Sequence, residues 1–128
     1  MNTKEFMKKT YATYRQVDYW CNQGIHIGSN HGKGSGSKRS FTEHDVTVIN
    51  ILVIFSELIG IGAGSEKTLK LRNLSQMLQN RPDVMKNYDI LYVTQWGTIA
   101  EEPTYGYVID LRLVKKKLKE HQKSLEKV

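Results

Sequence analysis

The sequence predicts an α+β fold: tandem winged helix-turn-helix halves, an internal pseudo-dimer, around a central antiparallel β-sheet. Three observations predict it. Apolar residues recur at helical spacing in several separate runs, Val46, Ile49 and Val53 being the clearest. Short β-prone runs stand on either side of glycine- or proline-bearing loops, as hairpins do. The order helix, short helix, strand, loop, strand, helix then occurs twice, with Ile25 aligned on Ile90. Few residues are identical between the halves, so the repeat is one of architecture. A lone hairpin is marginal in water, and two hairpins pooled into one sheet are not.

The elements follow in chain order. Thr3–Thr10 reads as a helix with Phe6 and Met7 as its apolar contacts. Thr13 is placed to cap a second helix running from Tyr14 to about Gln23, because its hydroxyl can accept an orphan amide. Val17 and Trp20 or Cys21 lie three and four apart and share the inward face, and Gly24 stops the helix. Ile25–Ile27 alternates and reads as a strand. The polar, basic run Asn30-His31-Gly32-Lys33-Gly34-Ser35-Gly36-Ser37 reads as a hairpin tip, and Lys38–Phe41 as the returning strand. Thr42 and Asp45 make a capping-box start for a long helix, apolar on more than one face, that ends at Gly60-Ile61-Gly62-Ala63-Gly64.

The second half repeats the plan. Ser65 caps a helix to about Asn80, with Leu69, Leu71, Leu74, Met77 and Leu78 inward. Asn80-Arg81-Pro82-Asp83 opens a short helix with proline in its first turn. Ile90–Gln95 and Tyr105–Ile109 are strands joined by Gly97–Thr104, and Asp110 caps a last helix striped by Leu111, Val114, Leu118 and Leu125. The two units are therefore 1–60 and 65–128, packed as one compact body.

The chain has 128 residues, 39% hydrophobic and 25% charged, with two prolines and a single cysteine, Cys21. That is one domain's worth of chain with enough apolar residues for a core. One cysteine excludes an intramolecular disulfide. With no apolar leader at the start and no uninterrupted apolar run, a cytoplasmic protein without membrane insertion is expected. The net charge is +6 and unevenly spread: 1–42 holds seven Lys/Arg against two acids, 43–110 five against nine, and 111–128 seven against two. Basic ends attract polyanions, and a phosphate backbone is a natural partner. Lysine-rich helices also serve simply as solvated faces.

Other chemistries fit poorly. Cys21, His26, His31 and His44 have loosely zinc-like spacing but offer one thiolate and sit on different elements, so no metal is expected. Gly32-Lys33-Gly34-Ser35 falls short of a phosphate-binding loop, and no Ser, His and Asp are arranged by a motif, so neither an enzyme nor a cofactor is expected.

The run Arg15-Gln16-Val17-Asp18-Tyr19-Trp20, then Gly24-Ile25, then Arg39-Ser40-Phe41-Thr42-Glu43-His44-Asp45-Val46 resembles the MerR-type winged-helix regulators over about Thr3 to Leu58. Asp18 departs from the pattern, standing where that family carries an arginine. The whole chain, a winged module followed by a second helix–hairpin–helix half, resembles the TraN family. These are small DNA-binding proteins of Gram-positive conjugative plasmids, encoded with type IV secretion genes. The resemblance implies double-stranded DNA near a transfer origin as target and an accessory or regulatory role in conjugation. Relaxosome or other conjugation proteins are the implied protein partners, and a monomer with an internal pseudo-dimer is the implied state. A phage excisionase-like or repressor role, or a protein-interaction adaptor without DNA, are the alternatives.

In a helix-turn-helix the second helix presents its N-terminal residues to base edges. Tyr14, Arg15 and Gln16 occupy those places. Arginine matches the two acceptors of guanine and glutamine the donor–acceptor pair of adenine. Tyr19 takes the place of the MerR-type phosphate-contacting tyrosine, and Arg39 that of the wing arginine. His31, Lys33 and Lys38 are the other wing candidates. Arg81 and Lys86 are the candidates of the second half, whose loop carries the phosphate-repelling Glu101 and Glu102.

Overall fold

The computed structural model describes residues 1–25, 27–30, 39–60 and 64–126; the side chains of 29, 30, 39, 117, 118 and 121–126 lie outside that description. The chain is α+β, and its described residues form six helices, a three-stranded antiparallel sheet and a separate two-stranded one. The first half comprises α1 (Thr3–Lys9), α2 (Tyr14–Asn22), β1 (Ser29–Asn30), β2 (Arg39–Ser40) and α3 (Glu43–Ile59). The second comprises α4 (Gly64–Gln79), α5 (Val84–Asn87), β3 (Ile90–Thr94), β4 (Ile99–Ala100), β5 (Gly106–Asp110) and α6 (Leu111–Glu126).

The long α3 forms where the sequence sets it. Thr42 Oγ1 accepts from Asp45 N while Asp45 Oδ2 accepts from Thr42 N, a closed capping box. Val48, Ile49, Ile51, Leu52 and Phe55 are all fully buried, so the helix is covered on several faces, which explains its apolar sequence. α3 and α4 form an antiparallel pair across the junction of the halves. At one end Lys67 Nζ donates to the Gly60 carbonyl at 2.9 Å. At the other His44 Nε2 bonds the Leu78 carbonyl at 2.7 Å, and Gln79 Nε2 donates to Asp45 Oδ1 at 3.4 Å. One hydrophobic cluster runs from Phe6 to Val114 and takes residues from both halves.

The strands depart from expectation in three ways. First, Ile25 and Ile27 are buried but belong to no strand; β1 is Ser29–Asn30. Ile25 N donates to Trp20 O, closing the end of α2, and Gly24 (φ 83°) and Gly28 (φ 78°) bend the chain on either side. The segment plugs the core instead of pairing. His26 lies outside the described residues. Second, the connection between β3 and β5 contains the extra strand β4, which pairs Tyr92 with Ala100 and Val93 with Ile99. A type of turn stabilised by Thr94 makes this fold-back: Thr94 N donates to Thr98 O, and the two threonine hydroxyls bond at 2.7 Å. Third, the two hairpins do not pool among the described residues. β1–β2 is one sheet and β4–β3–β5 another. Ample burial of Leu91, Val93 and Ile109 against the helices stabilises the larger sheet without the smaller one.

Boundaries shift slightly. α4 begins at Gly64, so Ser65 sits inside its first turn rather than before it, and Leu69, expected inward, is 48% exposed while Leu71, Leu74 and Leu78 are buried and Met77 is half-buried. α5 begins at Val84, so Pro82 precedes it, and Asp83 at its start makes no side-chain cap. Asp110 does cap α6: its Oδ1 accepts from Arg112 N at 3.0 Å. The Arg112 side chain also bonds that carboxylate, which holds Asp110 below the usual carboxylate range.

Candidate nucleic-acid interface

Helix α2 is mounted by its buried face and presented by its other. Thr13 Oγ1 accepts from Gln16 N at 3.1 Å, fixing the first turn. Val17 (2% exposed) and Trp20 (4%) enter the core. Tyr14 (62%) and Tyr19 (55%) point outward, and Arg15 is exposed. Arg15 and Tyr19 are four residues apart and so share one stripe of the helix. Gln16 and Asp18 are half-buried at its flanks. The acid at Asp18 thus adjoins the outward face, which sets this helix apart from the MerR-type pattern.

The turn before α2 is locked to α3 by a polar residue sequence reasoning did not single out. Asn50 is buried (2% exposed), and its Oδ1 accepts from Tyr11 N at 2.9 Å while its Nδ2 donates to Lys9 O at 3.4 Å. A buried amide satisfied on both sides fixes the angle at which α1 delivers α2. The far end of α2 is held by another unforeseen residue, Arg72 of α4. Its Nη2 donates to Gln23 O at 2.8 Å, and its guanidinium lies over Gly24. A cation at a helix C-terminus complements the helix dipole. Nothing local in the sequence marks Asn50 or Arg72, because each acts on a segment distant along the chain.

The ribbon beyond α2 is anchored at its base. β1 and β2 pair antiparallel, Ser29 opposite Ser40 and Asn30 opposite Arg39. Phe41, just past β2, stacks on Phe6 of α1 with ring centroids 4.0 Å apart and planes at 10°. Its backbone exchanges hydrogen bonds with Met1. Gly28 completes the base: a side chain there would stand 2.7 Å from the Phe41 ring, so only glycine admits this approach. The ribbon thus places the Arg39 backbone on a strand directly before the core, while His31, Lys33 and Lys38 lie outside the described residues.

The second-half candidates stand differently. Arg81 precedes α5 and pairs with Glu101 Oε1 at 3.4 Å, so its charge is partly answered within the protein. Lys86 is exposed on α5, a single turn of four residues against nine in α2. The same half exposes Trp96 (63%), Tyr105 (94%) and Val108 (57%), beside the exposed Glu101 and Glu102. No group of histidine, cysteine and acidic residues able to hold a metal occurs among the described residues. No described helix is long and apolar enough to cross a membrane.

Compared with family models, curated proteins and solved structures, the chain matches none. The likeness to MerR-type regulators therefore rests on the residues quoted from the sequence.

Proposed function

We propose that this chain is a sequence-specific double-stranded-DNA-binding protein in which α2 enters the major groove and the β1–β2 ribbon follows the flanking backbone. One observation carries the reading. α2 turns Tyr14, Arg15 and Tyr19 outward from a face anchored by Val17 and Trp20, and an antiparallel strand pair and a core helix follow it in winged-helix order. In this reading Arg15 and Gln16 meet base edges, Tyr14 and Tyr19 meet the sugar–phosphate chain, and His31, Lys33, Lys38 and Arg39 grip phosphates from the ribbon. Arg81 and Lys86 give the second half at most a weak share of the contact. The repeated order of elements supports binding as a monomer whose halves stand in for two subunits.

The role proposed with it is that of an accessory or regulatory factor of conjugative plasmid transfer near the transfer origin, which the resemblance of the whole sequence to the TraN family supports. A phage excisionase-like or repressor role would use the same helix. The exposed aromatic residues and acids of the second half favour, in addition, a protein contact on that side, the surface an adaptor would use.

A gel shift with duplex DNA at about 50 mM and about 200 mM salt tests the reading. With five or more phosphate contacts, affinity is expected to fall by about two to three orders of magnitude between them. No shift at the lower salt would sink the DNA reading and leave the adaptor. Footprinting across a plasmid transfer origin then separates the conjugation role from the phage one.

A further inference from the structure

The sequence keeps its two basic stretches at opposite ends of the chain, and the fold sets them side by side. α1 packs against α6. Val114 of α6 also joins Tyr11, Asn50, Val53, Ile54 and Glu57 in lining one cleft, so the start of α6 abuts the turn that leads into α2. α1 carries Lys4, Lys8 and Lys9, and α6 carries Arg112, Lys115, Lys116 and Lys119. Lys9 is answered locally by Glu43 at 2.7 Å and Arg112 by Asp110 at 3.0 Å. Lys4, Lys116 and Lys119 are exposed. The described acids on or against these elements are Glu5, Glu43, Glu57, Asp110 and Glu120, fewer than the cations. Like charges gathered by packing raise the local potential, and a polyanion relieves it.

We propose that the α1–α6 pair forms a second phosphate-contacting surface, which holds the duplex beside α2 without reading its sequence. This rests on the DNA-binding reading above. A duplex is favoured over an anionic lipid surface because Leu111 and Val114 of α6 are 0% and 1% exposed in the core, which leaves Leu113 (53%) as the lone exposed apolar side chain among the described residues of that helix, too little for an apolar face.

The test compares the full chain with a Lys4→Gln/Lys116→Gln/Lys119→Gln variant and with Arg15→Ala. Fluorescence anisotropy is read over a salt series, on a duplex selected from a randomised pool and on its scrambled counterpart. The triple variant is expected to weaken both duplexes alike. It should flatten the slope of log K against log salt by about 2 to 3, at about 0.9 per lost phosphate contact, and keep the ratio between duplexes. Arg15→Ala should do the reverse, lowering the ratio with little change of slope. A triple variant with unaltered slope and affinity would overturn this proposal and leave the DNA reading standing. A wild-type chain that binds neither duplex overturns both. Vesicles containing phosphatidylserine form a third arm: lipid binding lost in the triple variant, with DNA binding intact, would overturn the proposal in favour of a membrane. Thermal melting confirms that the variants fold. Should the triple variant melt lower, Lys119→Gln alone should still flatten the slope by about 0.9.

Discussion

Arg15→Ala is expected to erase discrimination at one base pair of the preferred duplex while leaving binding to unrelated sequences almost unchanged. Arg15 stands at the second position of a helix whose first turn is capped by Thr13 and whose buried face is fixed by Val17 and Trp20. Its guanidinium extends from a helix already fixed at its cap and buried face, so binding orders the side chain but not the backbone that carries it. A bidentate arginine–guanine pair is worth about 1–3 kcal/mol of discrimination, or about 5- to 150-fold in relative affinity. The measurement is the affinity ratio between the preferred duplex and its single-base variants, each at one salt concentration. Arg15→Lys should keep the charge and lose most of the ratio, because a lysine offers no planar fork. Equal weakening on every sequence would instead make Arg15 a phosphate contact.

Phe41→Ala is expected to destabilise the chain by about 3–5 kcal/mol, from the cavity left when a large buried ring is removed. Few single changes should cost more, since small domains have only about 5–15 kcal/mol in total. Phe41 is 2% exposed, stacks on Phe6, covers Gly28, and exchanges backbone bonds with Met1. It is the point where the ribbon, α1 and α3 meet. Urea unfolding should show a lower midpoint at an unchanged slope. Phe41→Leu should recover a large part of the loss, because it refills much of the cavity. A midpoint shift under about 1 kcal/mol would mean that the ribbon base is not part of the cooperative core.

The legible part of this fold is the part fixed by local chemistry. The capping box of Thr42 and Asp45, the cap at Thr13 and the glycine stop at Gly24 each involve neighbours in sequence, and all appear at the expected places. The order of elements in each half could be read for the same reason, since helical and β periodicities are local. What could not be read depends on distant partners. Ile25 and Ile27 alternate as a strand would, yet neither is part of a strand, and burial between two bent glycines satisfies the pattern equally well. β4 is two residues long, too short for periodicity, and exists because a threonine turn returns the chain to β3. Whether two hairpins share a sheet is a question of tertiary packing, and α+β sequences are silent on it.

The candidate interface divides along the same line. The outward face of α2 follows from helical spacing once Val17 and Trp20 are placed inward. Asn50 and Arg72, which fix the two ends of that helix, act across long sequence separations. Arg81 looks like a free cation in the sequence because its partner, Glu101, comes from a loop of another element. The same holds for the α1–α6 contact, which joins basic ends that the sequence shows only as remote.

Whether α2 is the element that meets DNA is decided by amide chemical-shift mapping during titration with a duplex. The largest shifts are expected at Tyr14–Tyr19, with smaller ones at Ser29–Asn30 and Arg39–Ser40, and little change at Ile99–Glu102. Shifts gathered around Trp96, Glu101 and Tyr105, with α2 unmoved, would contradict it.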